Sequence, residues 1–329
     1  MRSINKKRVA AVFAMLTVSC ILTGCGAKQY AFTYDSSSTV SSFQITENGM
    51  AGQAQLFAEE LCVASADVTE GASVDMSEAD SAGLFDLNDA DVLYAKNIHE
   101  RLYPASLTKV MTALVALKYG DPNDVITVSA ISAGITESGA QLCGLKAGDT
   151  LTMEQALHAL LIYSANDAGM AIAEHIGGSV ERFAGMMNEE ALAIGATNSH
   201  FVNPHGLHDE DHYVTAYDMY LIFNEAMKYE LFTEIISLDT YTTTYSDRSG
   251  NAKTFDFKTT NQYLQGNYTA PDNVTVIGGK TGTTSAAQNC LVLLSRDGSG
   301  NPYISVILHC KERGILYENM TGLLSEINK

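Results

Sequence analysis

Residues 104–118 read PASLTKVMTALVALK, a proline-led start followed by a regular apolar pattern. The apolar side chains recur at helical spacing, at Val110, Met111, Leu114 and Leu117. Proline is favoured in the first turn of a helix, because the N–H that it lacks would have no partner there. The stretch therefore predicts a helix over about residues 106–118, with Ser106 at its start.

Patterns on both sides of this helix predict the rest of the domain. Residues 82–85 and 92–95 are typical of the two strands of a β-hairpin. Thr152 and Gln155 have the spacing of a capping box, at the start of a second helical block that breaks at residues 164–166. Further helices are predicted over residues 167–176, 180–193, 215–229 and 314–328, and strands near residues 238–245, 253–257, 274–284, 289–295 and 303–309. Strands that enclose a long helical insert and end in a final helix predict an α+β domain with a helical subdomain.

The first 24 residues have the composition of an export signal. Basic side chains precede an apolar run of roughly fifteen residues, which is shorter than the ~20 residues that a transmembrane helix needs. The run ends in Leu22-Thr23-Gly24-Cys25, which resembles a bacterial lipobox, in which the cysteine becomes the lipidated first residue of the mature protein. We therefore expect a lipoprotein signal peptide over residues 1–24, a lipidated Cys25 with a flexible spacer over residues 25–60, and a folded domain over residues 61–329.

Charge and cysteine content narrow the function classes. The chain carries 38 acidic and 20 basic side chains, a formal net charge of -18. This excess of negative charge argues against a nucleic-acid partner, because the phosphate backbone is itself anionic. The cysteines outside the export signal and lipobox are widely spaced, without a Cys-x-x-Cys pair: Cys62, Cys143, Cys290 and Cys310. No zinc ribbon or redox motif is indicated, and three disulfide connectivities remain open.

The nucleophile candidate is Ser106, three residues before Lys109. At this spacing both side chains share one face of a helix, so the amine can reach the hydroxyl. A partly desolvated lysine is neutral enough to take the serine proton, and the free N–H groups of a helix start can stabilise an oxyanion. The pair therefore predicts acyl transfer through Ser106.

Two other short motifs follow in order. Ser164 and Asn166 lie at the predicted helix break, where their side chains can turn into a cleft, Ser164 as a proton relay and Asn166 as a partner of the lysine and of a substrate amide. Residues 280–283, Lys-Thr-Gly-Thr, end a predicted strand. On an edge strand, Gly282 would allow close approach and the main chain could pair with an extended peptide that ends in a carboxylate.

These motifs resemble those of the penicillin-binding, serine-type D-alanyl-D-alanine carboxypeptidases of low molecular mass, peptidase family S11. The similarity extends over PASLTK (104–109), YSANDA (163–168), FVNPHGL (201–207) and GKTGTT (279–284). The resemblance implies a β-lactamase/transpeptidase-like fold, with an antiparallel sheet flanked by helices, and a catalytic domain over residues 61–329.

The resemblance also implies a reaction. Members remove the terminal D-alanine of peptidoglycan stem peptides ending in D-Ala-D-Ala through an acyl-enzyme, use no cofactor and are trapped by β-lactams. By resemblance Ser106 is the nucleophile and Lys109 the general base, and the remaining site residues are Ser164, Asn166, Lys280, Thr281, Gly282 and Thr283. We expect such an enzyme to be exported and held by its N-terminal lipid at the outer face of the cytoplasmic membrane.

One position departs from the family pattern. Members tend to place an arginine near the start of the last helix, where it helps to bind the substrate carboxylate. Leu316 occupies that position here. We expect Arg313 to take its place.

Three alternatives use the same residues differently. A β-lactamase needs an added deacylating base, which lies in a Glu-x-x-Leu-Asn motif. The most similar stretch here is residues 189–193, which lacks the asparagine and lies inside a predicted helix. A zinc peptidase could use the crowded histidines and carboxylates of residues 205–212, although His205 belongs to the FVNPHGL stretch and the others are expected to form a solvated acidic loop. A non-catalytic penicillin-binding or wall-sensing lipoprotein would keep the fold without turnover.

Overall fold

The computed structural model describes residues 60–329. The predicted signal peptide, the lipidated Cys25 and nearly all of the predicted spacer lie outside the described residues. Within residues 60–329, none of the helices combines the length and the apolar composition that a membrane crossing requires.

A five-stranded antiparallel sheet forms the centre of the domain, in the strand order β2-β1-β9-β8-β7. Its strands are β1 (Ala79–Asp86), β2 (Asp91–Lys96), β7 (Val274–Thr284), β8 (Gln288–Asp297) and β9 (Pro302–Cys310). The predicted hairpin is confirmed, since β1 pairs with β2 and Leu84 lies opposite Tyr94. Strand β1 also pairs with β9 from the far end of the chain. Strands from distant parts of the sequence therefore pair within one open sheet, and β7 forms one of its edges.

Seven α-helices surround this sheet in the described part of the chain. They are α1 (Thr108–Tyr119), α2 (Met153–Leu161), α3 (Asn166–Gly177), α4 (Val180–Ala193), α5 (Ala216–Ala226), α6 (Glu230–Ile236) and α7 (Arg313–Leu324). The capping box is confirmed, because the Thr152 hydroxyl accepts from the N–H of Gln155 and the Gln155 amide oxygen accepts from the N–H of Thr152. Helix α6 was not predicted, because seven residues give too few turns for a periodic pattern to stand out.

Each face of the central sheet is covered by its own apolar core. Phe85 packs among the residues of α1 to α6, whereas its neighbour Leu84 packs against α7 on the opposite face. Alternation along the strand produces this division, since successive side chains point to opposite faces. Burial of each large apolar side chain contributes about 1.5–3 kcal/mol, and a register slip of one residue would exchange the two faces.

A smaller sheet forms beside the helices, in the order β3-β4-β5-β6. Its strands are β3 (Val125–Thr127), β4 (Thr150–Thr152), β5 (Thr240–Ser246) and β6 (Ala252–Lys258). β3 and β4 are three residues long and were not predicted. The Phe257 ring stacks on Tyr163 with 4.8 Å between ring centroids. This contact fixes the segment that precedes Ser164.

All four cysteines of the described domain are free thiols. Cys62, Cys290 and Cys310 are buried and Cys143 is half-buried. They act as small core side chains, and no disulfide connects strands or helices in this part of the chain.

Candidate active site

Ser106 lies in a single 3-10 turn, Ala105–Leu107, that leads directly into α1. The predicted helix is confirmed, although its α-helical part begins at Thr108 instead of Ser106. Ala105 has φ of 47°, in the left-handed region. A residue with a Cβ atom pays about 1–3 kcal/mol in such a conformation, so surrounding contacts must hold the turn.

The Lys109 amine lies against the Ser106 hydroxyl. Its Nζ donates to Ser106 Oγ at 2.8 Å and to the carbonyl oxygen of His205 at 2.7 Å. The side chain is fully buried. Burial holds the pKa of Lys109 well below its ordinary value, the positive charge of Lys280 lowers this pKa further, and the negative charge of Asp167 opposes both. A neutral amine in this position can accept the hydroxyl proton.

A second lysine and serine form a matching pair across the site. Lys280 Nζ donates to Ser164 Oγ at 3.0 Å and to the carbonyl oxygen of Thr281 at 2.9 Å. Burial lowers the pKa of Lys280 to about 7. Ser164 lies between α2 and α3 with φ of 66°, which turns its hydroxyl toward β7. Ser164 is thus hydrogen-bonded to Lys280 and not to Lys109.

Gly282 brings the edge strand β7 against the nucleophile turn. A Cβ atom at this position would lie 2.9 Å from the carbonyl oxygen of Pro104 and 3.1 Å from the nitrogen of Ser106. Only glycine permits so close an approach without a backbone shift. The predicted edge strand is confirmed, and its outer backbone groups are available to an added peptide strand.

A cleft of about 520 Å³ opens between these elements. Its lining includes Ser106, Ser164, Thr281, Gly282, Thr283 and Arg313, together with Gly139, Gln141, Lys258, Gln262, Asn289, Cys290, Leu316 and Tyr317. The charged residues of the lining are both basic, Lys258 and Arg313, and no acidic side chain among the described residues contributes to it. In a strongly acidic protein this cleft is suited to an anionic ligand.

The structure brings nearly all the predicted site residues together. Six of them line the cleft, and Lys109 and Lys280 lie directly behind it, each bonded to one of the two serines. Arg313 is the first residue of α7 and is exposed at the cleft, while Leu316 is buried one turn later. Asn166 is buried beside this group, but its amide makes no hydrogen bond to Lys109 in the described structure. Its contact with substrate stays a prediction.

The loop over residues 205–212 differs in one respect from expectation. His208, Asp209 and Asp211 are exposed, as predicted, but His212 is only 2% exposed, so its assignment to a solvated loop was wrong. Its ring bonds Thr108 and Val202. Among residues 60–329 there is no cluster of three histidine, cysteine or acidic side chains that could hold a metal ion.

The stretch considered for a deacylating base, residues 189–193, lies at the end of α4. Glu189, which holds the position of that base, is exposed, and its neighbour Glu190 is buried and accepts from Lys118 Nζ at 2.8 Å. Neither carboxylate lines the cleft. The geometry gives no support to a β-lactamase built on either residue.

Sequence reasoning missed Asp167, a buried residue that shapes one wall of the cleft. Its carboxylate accepts from the backbone N–H groups of Cys143 at 3.0 Å, Gly144 at 2.9 Å and Leu145 at 3.1 Å. These residues continue from Gly139 and Gln141, which line the cleft. In the sequence Asp167 belongs to the YSANDA stretch and stands in the first turn of a predicted helix, where an acidic residue ordinarily indicates nothing more than a favourable helix dipole.

Comparison with known proteins places this architecture among related chains. Residues 66–312 match the family model described as D-alanyl-D-alanine carboxypeptidase, Peptidase_S11. D-alanyl-D-alanine carboxypeptidase DacF of Bacillus subtilis is 38% identical over 229 residues, which cover 68% of this chain and 55% of that protein. DacC of Escherichia coli is 33% identical over 250 residues, covering 74% and 59%. The chain thus spans little more than half the length of these relatives.

Solved structures agree with the sequence matches. The crystal structure of the Streptomyces K15 DD-transpeptidase superimposes with a TM-score of 0.70 at 27% identity, covering 76% of this chain and 96% of that one. A structure described as an evolved putative penicillin-binding protein homolog from Mycobacterium tuberculosis gives 0.68 at 26% identity, covering 79% and 95%. The α+β, β-lactamase/transpeptidase-like fold expected from the motifs is confirmed.

Proposed function

The chain belongs to the D-alanyl-D-alanine carboxypeptidase family Peptidase_S11, and from that membership we propose that it is a serine D,D-carboxypeptidase. Its substrate is a peptidoglycan stem peptide ending in D-Ala-D-Ala, from which it releases the terminal D-alanine. β-Lactams acylate the same serine. The single observation that carries this proposal is the 2.8 Å contact between Ser106 Oγ and the fully buried amine of Lys109, at the floor of a cleft lined only by basic charges.

Acylation follows from the geometry of the nucleophile turn. The neutral Lys109 amine takes the hydroxyl proton as Ser106 Oγ attacks the carbonyl carbon between the two D-alanines. The resulting oxyanion lies at the start of α1 and beside β7, where the N–H groups of Ser106 and Thr283 can donate to it. Because these donors belong to rigid backbone, they need no rearrangement when charge develops.

The two serine–lysine pairs divide the proton transfers between them. When the tetrahedral intermediate collapses, the C–N bond breaks and the leaving nitrogen of D-alanine needs a proton. Ser164, held by Lys280 at 3.0 Å, is placed to pass one on. Water then attacks the acyl-enzyme and gives its proton to the Ser164–Lys280 pair. The ester C–O bond breaks, Ser106 Oγ takes back its proton from Lys109, and the shortened peptide leaves with a free carboxylate. Arg313 and the hydroxyls of Thr281 and Thr283 suit the terminal carboxylate at the other end of the cleft.

Export and anchoring belong to the same proposal. The lipobox-like Leu22-Thr23-Gly24-Cys25 supports lipidation of Cys25 and attachment to the outer face of the cytoplasmic membrane, where stem peptides are found. Metabolic labelling with an alkyne fatty acid, compared between the full chain and its Cys25→Ala variant, tests this part. Equal labelling of both chains would contradict it.

The activity is tested with the soluble domain, residues 60–329. We expect fluorescent penicillin to add its mass to a peptide that contains Ser106, and a diacetylated Lys-D-Ala-D-Ala tripeptide to release D-alanine. Attachment at another residue would overturn the mechanism, and rapid release of hydrolysed penicillin would favour a β-lactamase. Labelling of Ser106 without any D-alanine release, from this tripeptide or from a complete stem pentapeptide, would favour a binding protein.

A further inference from the structure

A chain of three hydrogen bonds, two of them buried and one part-buried, joins His212 to the turn that carries Ser106. The Val202 N–H donates to His212 Nδ1 at 3.2 Å, His212 Nε2 lies 2.8 Å from Thr108 Oγ1, and Thr108 Oγ1 donates to the Ala105 carbonyl oxygen at 2.8 Å. His212 is 2% exposed and Thr108 is fully buried. The chain is therefore shielded from bulk water, where its bonds are strongest.

The position of every proton in this chain follows from its first bond. A backbone N–H can only donate, so Nδ1 of His212 carries no proton. A neutral imidazole has one N–H, which must then be on Nε2 and must donate to Thr108. The hydroxyl keeps its own proton for the Ala105 carbonyl. Each donor thus has one acceptor, and the chain has a single direction.

The carbonyl at the end of this chain belongs to the strained residue before the nucleophile. Ala105 has φ of 47°. Gly206 packs on the same carbonyl so closely that a Cβ atom there would lie 1.8 Å from its oxygen. The orientation of this peptide group sets the path of the chain into Ser106, and its contacts offset the conformational strain.

We propose that His212 is a positioning residue: through Thr108 it holds the Ala105 peptide group in the conformation that directs the Ser106 hydroxyl toward Lys109 and the substrate carbonyl. This role rests on the proposed function, because it concerns the acylation of Ser106. His212 itself touches neither substrate nor the reacting atoms. The sequence had grouped His212 with the solvated part of the 205–212 loop.

The ionisation of His212 is consistent with this role. Burial lowers the pKa of His212 to about 4, and the charges of Lys109, His200 and His208 act in the same direction, against Asp209. The ring is therefore neutral at neutral pH. Protonation would force Nδ1 to become a donor against the Val202 N–H and would break the chain at its first bond.

Two substitutions separate the hydrogen bond from the packing of the ring. In His212→Gln the longer side chain can place an amide N–H near the Nε2 position and still donate to Thr108. In His212→Asn the amide reaches only the Nδ1 position and that donor is lost. We expect H212N to slow acylation by saturating fluorescent penicillin roughly 10- to 100-fold, the scale of a displaced reacting group, and H212Q to stay close to wild type.

Controls distinguish positioning from general destabilisation. His158 is also buried, donates from Nδ1 to the Glu154 carbonyl and stacks on Tyr241, away from the Ser106 turn. His158→Asn should leave the acylation rate unchanged. Combining H212N with Thr108→Val should slow acylation no more than either change alone, since both act through one chain. Thr108→Ser should retain the rate.

The outcomes are separable. A folded H212N that acylates at the wild-type rate, or an H212Q that is as slow as H212N, would overturn the positioning role. Should H212N fail to fold, the comparison of T108V with T108S tests the same chain, and equal rates for these two would count against it. A wild-type protein that penicillin never labels at Ser106 would instead remove the proposed function itself.

Discussion

The two ends of the cleft differ in how deeply their cationic side chains are buried. At the nucleophile end, Lys109 and Lys280 are fully buried, and each amine has two hydrogen-bond partners. At the carboxylate end, Arg313 is exposed on the first turn of α7, and within residues 60–329 it forms no ion pair. Burial lowers the lysine pKa values and makes proton transfer possible at neutral pH, whereas an exposed guanidinium keeps its charge and is screened by salt.

This difference indicates which end determines rate and which determines affinity. A buried, fully bonded group cannot be moved or discharged without large cost, so changes there should reduce the chemical step. An exposed cation adds little to binding and can be replaced partly by solvent. Substitutions at the two ends should therefore differ in whether they change the rate or the affinity.

Loss of the Lys109 amine should have the largest effect. We expect Lys109→Met to reduce the rate of Ser106 acylation roughly 10³- to 10⁴-fold, because the hydroxyl loses its base. Stopped-flow labelling with fluorescent penicillin measures this rate. Lys253→Met is the matched control, since Lys253 is exposed on β6 and does not line the cleft. A K109M variant within tenfold of wild type would place the base elsewhere.

Burial of Lys280 should make the free energy of unfolding depend on pH. Its pKa is about 7 in the folded protein against an ordinary value of 10.5. Between these values the unfolded chain binds the additional proton, so the wild-type free energy of unfolding should rise as pH increases from 7 toward 10.5. Lys280→Met removes the free-energy cost of releasing this proton when the chain folds. We expect it to be more stable than wild type at pH 7 by up to about 5 kcal/mol, at 1.36 kcal/mol per pKa unit.

Urea unfolding at pH 7, 8.5 and 10 checks this prediction. The stability difference between wild type and K280M should shrink steadily as pH rises. A difference that stays constant over this range would show that Lys280 is not buried as a neutral amine. Acylation by K280M should nevertheless be impaired, which would separate stability from function at one residue.

Asp167 affects both the shape and the charge of the site. It holds the loop that forms one cleft wall, and its negative charge raises the pKa of Lys109. In Asp167→Asn one oxygen becomes a donor that cannot accept from the backbone N–H groups of the 143–145 loop. We expect kcat/KM to fall roughly 10- to 100-fold for a displaced wall. Removal of the negative charge also lowers the pKa of Lys109 further, so the amine stays neutral at lower pH. The acid limb of the pH–rate profile, where the rate falls because the base is protonated, should therefore shift to lower pH.

Asp218→Asn is the control for that experiment. Asp218 is another buried carboxylate that accepts a backbone N–H, that of Asn198, but it lies away from the cleft. Its variant should lose stability without any shift of the acid limb. An acid limb that moves upward in D167N would mean that the loosened loop hydrates Lys109, and would contradict the electrostatic role.

Arg313 should produce the smallest change. We expect Arg313→Gln to raise KM for a D-Ala-D-Ala peptide by a factor of up to about 5, with kcat nearly unchanged, because an exposed ion pair contributes about 0.2–1 kcal/mol. The effect should diminish between 50 mM and 500 mM salt. A large loss of kcat, independent of salt, would show that Arg313 acts on the reacting atoms.

Much of the fold could be predicted because its signals are local. The helix after Pro104, the capping box at Thr152 and the alternating strands each depend on side chains within one or two turns. Helix α6 and the strands β3 and β4 were missed because seven helical residues or three strand residues hold fewer than two periods of their pattern. Their structure comes from pairing and packing with distant segments, which no local pattern contains.

The site divides in the same way. Spacing of three residues on one helix face was sufficient to pair Ser106 with Lys109. It was not sufficient to show that Ser164 bonds Lys280 instead of Lys109, since that contact joins segments 116 residues apart. His212 shows the opposite error, because its acidic neighbours suggested solvent while its ring is enclosed by α1 and the 201–207 stretch.

Residue types at short spacing in the sequence were sufficient to predict the family, the pairing of Ser106 with Lys109 and the strands on either side of a helical insert. The tertiary structure was needed to show which charges are buried, which hydroxyl each lysine bonds, and that the cleft is lined both by the exposed Arg313 and by the buried Leu316. A pKa and a hydrogen-bond partner depend on every atom that surrounds a group, and those atoms come from segments that only folding brings together.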